Sequence, residues 1–401
     1  MTRSVRASQT IKSNTLKKTA MQVAVVALMA TAAAGCNRGI KPEVNDPVKL
    51  VQIAQPIIVL QPVFSVNAGK NASKKDPLTL QVGYENGQMV VAGRGGDLTG
   101  YDSNGQRLWS FSVGEEITGG VALDAFSQTA VVSTRGGRII ALDSSTGAKR
   151  WQKQLSGSVL TPALITNNRV ILSANDGFLH GLSLQSGQSV WQFATSLPAI
   201  SVRGAAAPTL LDDTTALIAT ADGRLHAITL DNGLPKWSRR IGIGTGSSEV
   251  ERMSDVDGQP VIDNNQLFAI SYSGQLLAID LASREVMFVK ELASLKSLAV
   301  NSQQVVATSL EGKVVAYDRR TGEVLWESEE LAYRKLTNPV MIGDYIAVGD
   351  LDGIVHLFDP ATGTIVSRVE TKGALSSLQV DGSRLMTQSK SGQVAIWQLP
   401  R

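Results

Sequence analysis

From about residue 80 onward, short apolar stretches alternate with glycine-containing polar turns, most clearly in Arg135–Trp151, RGGRIIALDSSTGAKRW. The pair Gly136–Gly137 predicts a tight turn that needs positive φ. The apolar stretch Arg138–Asp143 predicts a strand, and its last aspartate can accept hydrogen bonds from the amides of a second turn, Ser144–Gly147. Trp151 then presents a large side chain for burial. The stretch therefore predicts a small antiparallel sheet, which cannot cover its own apolar face.

This unit recurs eight times. The first-turn glycines lie 38 to 51 residues apart, at Gly96, Gly137, Gly177, Gly223, Gly274, Gly312, Gly353 and Gly392. A tryptophan closes five of the first seven units, at Trp109, Trp151, Trp191, Trp237 and Trp326, and Phe288 and Ser367 take its place in the fifth and seventh. A repeat of about 40 residues with four short strands is typical of one propeller blade. Stacked blades supply the core that a single blade lacks.

The last unit ends at Arg401, soon after its third strand, and lacks an outermost one. Val63–Val66 is similar to Ser110–Val113, the predicted outer strand of the first unit. We therefore expect the segment Ile57–Val66 to pair into the eighth blade and close the ring, which also removes two exposed sheet edges. The predicted fold is all-β, an eight-bladed β-propeller of four-stranded antiparallel blades over residues 56–401.

The N-terminal sequence predicts a targeting signal. Five basic residues and no acidic one precede the apolar run Ala20–Ala34, which is too short for a comfortable membrane span. The sequence Ala33-Ala34-Gly35-Cys36 follows and resembles the lipobox of bacterial lipoproteins, although Ala33 stands where leucine is usual. We predict a lipoprotein signal peptide over 1–35, lipidation of Cys36 and a tether over 36–55. Asn37 favours the outer membrane, with the protein facing the periplasm. Ordinary cleavage that leaves a free thiol is the alternative.

Cleavage changes the charge. The precursor carries a formal charge of +3, and removal of the five basic residues of 1–35 leaves −2. Nucleic-acid binding thereby loses its main electrostatic support, and we expect no nucleic-acid partner.

The two longest repeat intervals carry extra residues, 196–204 and 242–258, each between an outer strand and the next blade's innermost strand. In a propeller all such connections lie on one rim, so the two insertions converge on one patch. Insertions on a repeat scaffold are where function tends to reside. The patch contains two β-branched residues, one arginine and two carboxylates, which together suit a protein-binding hot spot: Ile200, Val202, Arg203, Asp255 and Asp257. Arg203 can contact a partner or brace the two aspartates.

Other candidate chemistry is weak. His180, His226 and His356 each follow their turn glycine by three residues, so we expect them to pack in separate blades and share no metal. The motif Asp255–Gly258 lacks the third oxygen ligand and the glutamate of an EF-hand calcium loop. The glycines of 242–246 are not followed by the GK[ST] of a phosphate loop. We predict no catalytic residue, no metal site and no cofactor.

The repeat ALDSSTGAKRW resembles the blades of pyrroloquinoline-quinone dehydrogenases. The motifs SVRGAAAP (201–208) and GTGSSEVERMSDVDGQPV (244–261) more specifically resemble the BamB family, lipoprotein scaffolds of the outer-membrane β-barrel assembly machinery. The resemblance covers the mature chain and implies a periplasmic propeller that docks onto the POTRA domains of BamA. Its docking residues match Ile200, Val202, Arg203, Asp255 and Asp257, with Ile and Val where leucines are usual.

Three functions compete. The first is a non-enzymatic scaffold of the assembly complex that binds BamA and holds nascent outer-membrane proteins near the insertion site. The second is a quinoprotein dehydrogenase, which commonly needs a vicinal cysteine pair that a chain with one cysteine lacks. The third is a glycan- or peptide-binding propeller, which the sequence leaves open.

Overall fold

The computed structural model describes residues 45–68, 80–196, 206–241, 256 and 258–400. In this part of the chain every regular element is a β-strand, and the strands form eight four-stranded antiparallel sheets. No helix with the length and hydropathy of a membrane span occurs among these residues. The predicted eight-bladed propeller is confirmed.

The first four blades follow one another along the chain. Blade 1 comprises β2 (Gly83–Glu85), β3 (Gln88–Ala92), β4 (Asp97–Tyr101) and β5 (Arg107–Ser112); blade 2, β6 (Ile117–Asp124), β7 (Thr129–Thr134), β8 (Arg138–Asp143) and β9 (Lys149–Gln154); blade 3, β10 (Leu164–Ile165), β11 (Arg169–Ser173), β12 (Phe178–Ser183) and β13 (Ser189–Ala194); blade 4, β14 (Thr209–Asp212), β15 (Thr215–Ala219), β16 (Arg224–Thr229) and β17 (Pro235–Arg240).

The other four blades end with the one that closes the ring. Blade 5 comprises β18 (Val261–Asp263), β19 (Gln266–Ile270), β20 (Gln275–Asp280) and β21 (Val286–Glu291); blade 6, β22 (Ala299–Val300), β23 (Gln304–Thr308), β24 (Val314–Asp318) and β25 (Val324–Ser328); blade 7, β26 (Val340–Ile342), β27 (Tyr345–Gly349), β28 (Ile354–Phe358) and β29 (Ile365–Glu370); blade 8, β30 (Leu375–Asp381), β31 (Arg384–Ser389), β32 (Gln393–Gln398) and the N-terminal β1 (Gln61–Asn67).

The core lies between the blades. Each of eight clusters of buried apolar side chains combines residues of two consecutive blades, and one of them joins blade 8 to blade 1 through Met386, Val394 and Met89. A blade thus buries both of its faces only because it has two neighbours, as expected for stacked repeats.

The tryptophans join consecutive blades. The indole Nε1 of Trp109 donates a 2.8 Å hydrogen bond to the carbonyl oxygen of Ser144 in blade 2, and the ring packs on Gly147 of the same turn, where an added Cβ would come within 2.6 Å of it. The indoles of three further tryptophans donate to backbone carbonyls of the next blade in the same way: Trp151 to Leu184, Trp191 to Leu230 and Trp326 to Pro360.

The two turns of the repeat form as predicted, with one difference. Gly137 has a φ of +81°, whereas Gly136 is not among the residues with positive φ, so one glycine of the pair carries the requirement. Asp143 Oδ1 accepts hydrogen bonds of 3.0 Å from the amides of Ser145 and Thr146. Hydrogen bonds from Ser145 and Arg150 lower the pKa of this aspartate, so the turn is held by an ionised carboxylate.

The N-terminal segment closes the ring, but its strand is shorter than predicted. Strand β1 pairs with β32 from Gln61 to Asn67, whereas Ile57–Leu60, which we assigned to the strand, lies along blade 7. The register also differs. Phe64 pairs with Ile396, at the position where Trp109 pairs with Gly100 in blade 1. Phe64 is therefore equivalent to Trp109 and not to Phe111, which the sequence similarity suggests. The shift of two residues keeps the same faces of the strand buried.

Candidate functional site

The connections between blades lie on one rim of the propeller, which we call the connection rim. It consists of the eight first turns, which join the second and third strands of each blade, and the segments that join each outermost strand to the next blade. The amides of Val113, Leu155, Thr195, Ile241, Leu292 and Thr371, just past the outermost strands, donate to the carbonyls of the turn glycines Gly96, Gly137, Gly177, Gly223, Gly274 and Gly353. The repeated bond fixes each connection where it begins.

The two long connections begin in this way. The amide of Thr195 donates to Gly177 O over 2.8 Å, and its hydroxyl donates to the same oxygen over 2.9 Å. The amide of Ile241 donates to Gly223 O over 2.8 Å. Both connections therefore begin at defined points of the rim, on blades 3 and 4.

The far ends of the two connections are buried. Ala206, at the end of the first, is 1 % exposed, and Val256, near the end of the second, is also 1 % exposed. Both belong to the apolar cluster between blades 4 and 5, together with Ile241 at the start of the second connection. The amide of Gln259 then bonds the hydroxyl of Ser297 over 2.9 Å. The structure thus brings the bases of the two connections into one core, although they lie 50 residues apart in sequence.

The predicted site residues themselves lie outside the described residues. This holds for the proposed partner-binding set and for the proposed lipidation site: Ile200, Val202, Arg203, Asp255, Asp257 and Cys36. Val256, between the two aspartates in the sequence, is described, and its side chain belongs to the cluster between blades 4 and 5.

The three histidines are buried within separate blades. His226 makes hydrogen bonds with the hydroxyls of Ser238 (2.7 Å) and Thr220 (3.2 Å). His356 Nε2 lies 3.0 Å from Asp350 Oδ2, whereas His180 Nε2 is buried and has no hydrogen-bond partner among the described residues. Burial lowers the pKa of all three imidazoles, which favours their neutral form.

No group of three or more His, Cys, Asp or Glu side chains with the geometry of a metal site occurs in the described part of the chain. Near the axis, polar side chains connect the blades instead. Gln379 Nε2 donates to Val82 O over 3.0 Å, and Gln259 Nε2 donates to the Thr209 hydroxyl over 3.1 Å. These contacts between neighbouring blades give the amides a role in closing the ring.

One feature of the connection rim escaped sequence reasoning. The connection between blades 6 and 7 contains Arg334, which is 4 % exposed and bonds Asp350, a carboxylate with no exposure. On either side of it, Tyr333 and Lys335 are exposed and have φ of +60° and +52°. Non-glycine residues rarely adopt this conformation, so the surrounding contacts must hold it. Neither composition nor repeat spacing predicts this feature from the sequence, because Asp350, the partner of Arg334, lies 16 residues further along the chain.

Known proteins resemble the chain over most of its length. A family model described as outer membrane protein assembly factor BamB matches residues 94–328. The protein of that name from Burkholderia pseudomallei is 29% identical over 385 residues, which cover 95% of this chain and 98% of that one. The crystal structure of BamB from Moraxella catarrhalis is 45% identical, with a TM-score of 0.80, and covers 85% of this chain and 100% of that one.

Some enzymes share the propeller fold. The quinohemoprotein alcohol dehydrogenase from Comamonas testosteroni superposes with a TM-score of 0.65 at 12% identity, over 88% of this chain and 78% of that one. At this identity the likeness concerns the propeller fold alone, because one fold hosts many functions.

Proposed function

Since the chain belongs to the BamB family of outer membrane protein assembly factors, we propose that it is a non-enzymatic scaffold of the β-barrel assembly complex that docks onto the POTRA domains of BamA through the connection rim. The residues that make the contact are those predicted from sequence: Ile200, Val202, Arg203, Asp255 and Asp257. The mature chain is held at the outer membrane by lipid on Cys36 and faces the periplasm.

One observation carries the proposal. The bases of the two long connections share the apolar cluster between blades 4 and 5, through Ala206, Ile241 and Val256. Two insertions anchored in one core present their residues from neighbouring points of a rigid frame. A rigid frame of this kind loses little conformational entropy on binding.

The chemistry of the patch suits a protein partner. Ile200 and Val202 supply apolar area, and Arg203 supplies a planar cation that can bond a carboxylate or a carbonyl of the partner. Asp255 and Asp257 add charges that favour a basic partner surface or orient Arg203. The bracing role for Arg203 requires that it lie beside the aspartates.

Co-purification tests the docking. The variants Arg203→Ala and Asp257→Ala should lose BamA from a pull-down of the lipidated protein, while their circular dichroism and melting temperature stay those of the wild type. Matched controls are Arg320→Ala and Asp213→Ala, because both residues are exposed in turns of the opposite rim. If the docking variants retain BamA at the wild-type level, the proposed contact is wrong. If the controls also lose it, the effect is not specific to the rim.

The anchor has its own test. Mass spectrometry of the mature protein should find acyl chains on residue 36, and Cys36→Ser should release the chain from membranes. A mature protein that begins elsewhere with a free thiol would contradict the anchor and leave the docking proposal standing. Nascent outer-membrane proteins, the second proposed partner, should crosslink to the wild type in cells and not to the docking variants.

A further inference from the structure

The stretch Val48–Leu60, which precedes the closing strand, is bound to the outside of blades 6 and 7. We call it the strap. Leu50 packs on the cluster between blades 6 and 7, and Ile58 and Leu60 pack on the cluster between blades 7 and 8. Its first part falls within residues 36–55, which the sequence assigned to the tether. Residues 48–55 are therefore bound to the propeller, although the sequence assigned them to the tether.

Two arginines bind the N-terminal part of the strap. Arg334 Nη1 donates to Val48 O over 3.0 Å, and the amide of Val48 donates to Ala332 O, also over 3.0 Å. Arg368 Nη1 donates to the carbonyl oxygen of Val51. Bonds from a charged donor to a backbone carbonyl are stronger than those between neutral groups.

The arginines are themselves fixed by a buried network. Arg334 Nε donates to Asp350 Oδ2 over 2.8 Å, and Arg368 Nε donates to His356 Nδ1 over 3.1 Å. His356 bonds Asp350 through its other nitrogen. One carboxylate with no exposure thus orients both cations toward the strap.

The C-terminal part of the strap occupies space that a tryptophan takes up in most other blades. Ser367 stands in blade 7 where most blades have tryptophan, and its hydroxyl donates to the carbonyl of Ile58. The amide of Ile57 donates to Val366 O over 3.1 Å. The small serine leaves room for the strap against the outer edge of β29, and the strap covers part of that edge.

The strap has a direction. Val48 contacts Ala332, which belongs to the connection between blades 6 and 7 and so to the connection rim. Ile57 and Ile58 contact the opposite half of β29, and β1 begins beside Gln398, at the end of β32 that is remote from its first turn. The chain therefore enters the propeller at the connection rim and passes along blade 7 to the opposite rim. It returns along β1, where Ala68 bonds Gly392.

We propose that the strap fixes the point at which the membrane tether leaves the propeller, so that the connection rim faces the membrane. The inference rests on the proposed lipidation of Cys36. Val48 lies twelve positions after Cys36 in the sequence, a distance that reaches at most about 43 Å when the chain is fully extended. The connections that carry the proposed docking residues begin and end on the same rim. A partner docked there lies between the propeller and the membrane.

Energy transfer to the membrane tests the orientation. The lipidated full-length chain is placed in vesicles of phosphatidylethanolamine and phosphatidylglycerol that carry acceptor dyes on their headgroups. A donor dye is attached to a single introduced cysteine, because the native cysteine is occupied by lipid. The matched positions are Lys335→Cys on the connection rim and Arg320→Cys in the turn at the other end of blade 6, both exposed. The five-residue strand β25 separates the rims by about 16 Å, so the transfer rate from residue 335 should exceed that from residue 320 at least about twofold.

A strap variant tests the cause. The double variant Val48→Pro/Arg368→Ala removes the amide donor of Val48 and the guanidinium group that bonds the Val51 carbonyl. It leaves β1 and the buried Arg334–Asp350 pair intact. The tether should then leave near Ile57, and the difference between the two dye positions should shrink or reverse. The exposed Val51→Ala variant should keep the wild-type difference.

Each outcome is decisive. Equal transfer from both positions of the wild type, or more from residue 320, overturns the orientation. A difference that survives release of the strap, shown by faster amide exchange at residues 49–57, overturns the role of the strap. A chain without lipid on residue 36 instead contradicts the proposed anchor, so the two failures are distinguishable.

Discussion

Phe64 in β1 packs on Gly105 of blade 1, where an added Cβ would lie 2.5 Å from the phenylalanine ring. Trp109 makes the same contact with Gly147 one blade further on. The N-terminal strand thus supplies to the eighth blade both a fourth strand and the kind of aromatic side chain that fastens most of the other blades to the next. The contact closes the ring.

We expect Phe64→Ala to destabilise the propeller by about 2 kcal/mol, less than the 3–5 kcal/mol of a fully buried phenylalanine because Phe64 is only half-buried. Chemical denaturation of the soluble mature chain measures the loss. Val63→Ala, on the exposed face of the same strand, is the control and should cost less than about 0.5 kcal/mol. Equal losses in the two variants would mean that the aromatic contact does not close the ring.

The closing strand also marks the limit of sequence reasoning. Glycine spacing predicts eight blades, and the missing outermost strand predicts that the N-terminus completes the last one. The register is another matter, because strand side chains alternate with a period of two. Pairing Phe64 with the place of Phe111 or with that of Trp109 buries the same face, so the local pattern cannot distinguish them.

The strap shows a different limit. Its contacts join Val48 to Arg334 and Val51 to Arg368, pairs separated by 286 and 317 residues. No repeat or period connects such residues. The one signal in the sequence is Ser367 in the place of a tryptophan, which indicates that another group occupies that space. The proposed docking residues could be predicted from the sequence because insertions stand out against a regular repeat.

The glycine of the second turn should tolerate no side chain. Gly187 has a φ of +68°, and an added Cβ would lie 2.4 Å from the ring of Trp151. Gly187→Ala should therefore cost about 2 kcal/mol or more, from backbone strain together with displacement of the indole. The control is Gly95→Ala, where an added Cβ would have no atom of the described residues within 4 Å, and thermal unfolding should show it to be nearly neutral. Similar melting temperatures for the two variants would contradict this account.

Amide exchange should reveal the strap. The amides of Val48 and Ile57 are hydrogen-bonded to blades 6 and 7, and we expect them to exchange slowly. Arg368→Ala should accelerate exchange between residues 49 and 57 at least about tenfold, which corresponds to the loss of one charge-assisted bond of about 1.5 kcal/mol. The amides of β1 should keep wild-type rates, because their partners lie in β32. Fast exchange of the strap in the wild type would contradict the bound arrangement.

Acidification should weaken the same network through His356. Burial lowers the pKa of this imidazole below its usual 6.5, so between the two values the unfolded chain binds more protons and stability falls as the pH falls. The groups that face the ring are Asp350, Arg368 and Arg334. Burial alone raises the pKa of Asp350, but hydrogen bonds from His356, the Ile354 amide and Arg334 lower it to about 2. The stability that this carboxylate contributes is therefore lost only below about pH 4.

His356→Gln should flatten the dependence of unfolding free energy on pH between 5 and 6.5 by up to about 1.4 kcal/mol per pH unit, the slope of one proton. A slope remains, because His180 and His226 have pKa values lowered in the same direction. Denaturant titrations at four pH values measure it. A variant with the wild-type slope would show that His356 does not titrate on unfolding.

The pair Arg334 and Asp350 allows a sharper test of how the strap is held. Both side chains are almost fully buried, so Arg334→Met leaves a carboxylate without its cation and should cost about 3–5 kcal/mol. The double variant Arg334→Met/Asp350→Asn removes both charges and should recover much of that stability. It should not recover slow exchange at Val48, because the donor to the Val48 carbonyl is still absent. Arg320→Met, on an exposed turn, should change neither property. Recovery of both stability and protection in the double variant would mean that the strap is held by packing alone, and that Arg334 serves only to neutralise Asp350.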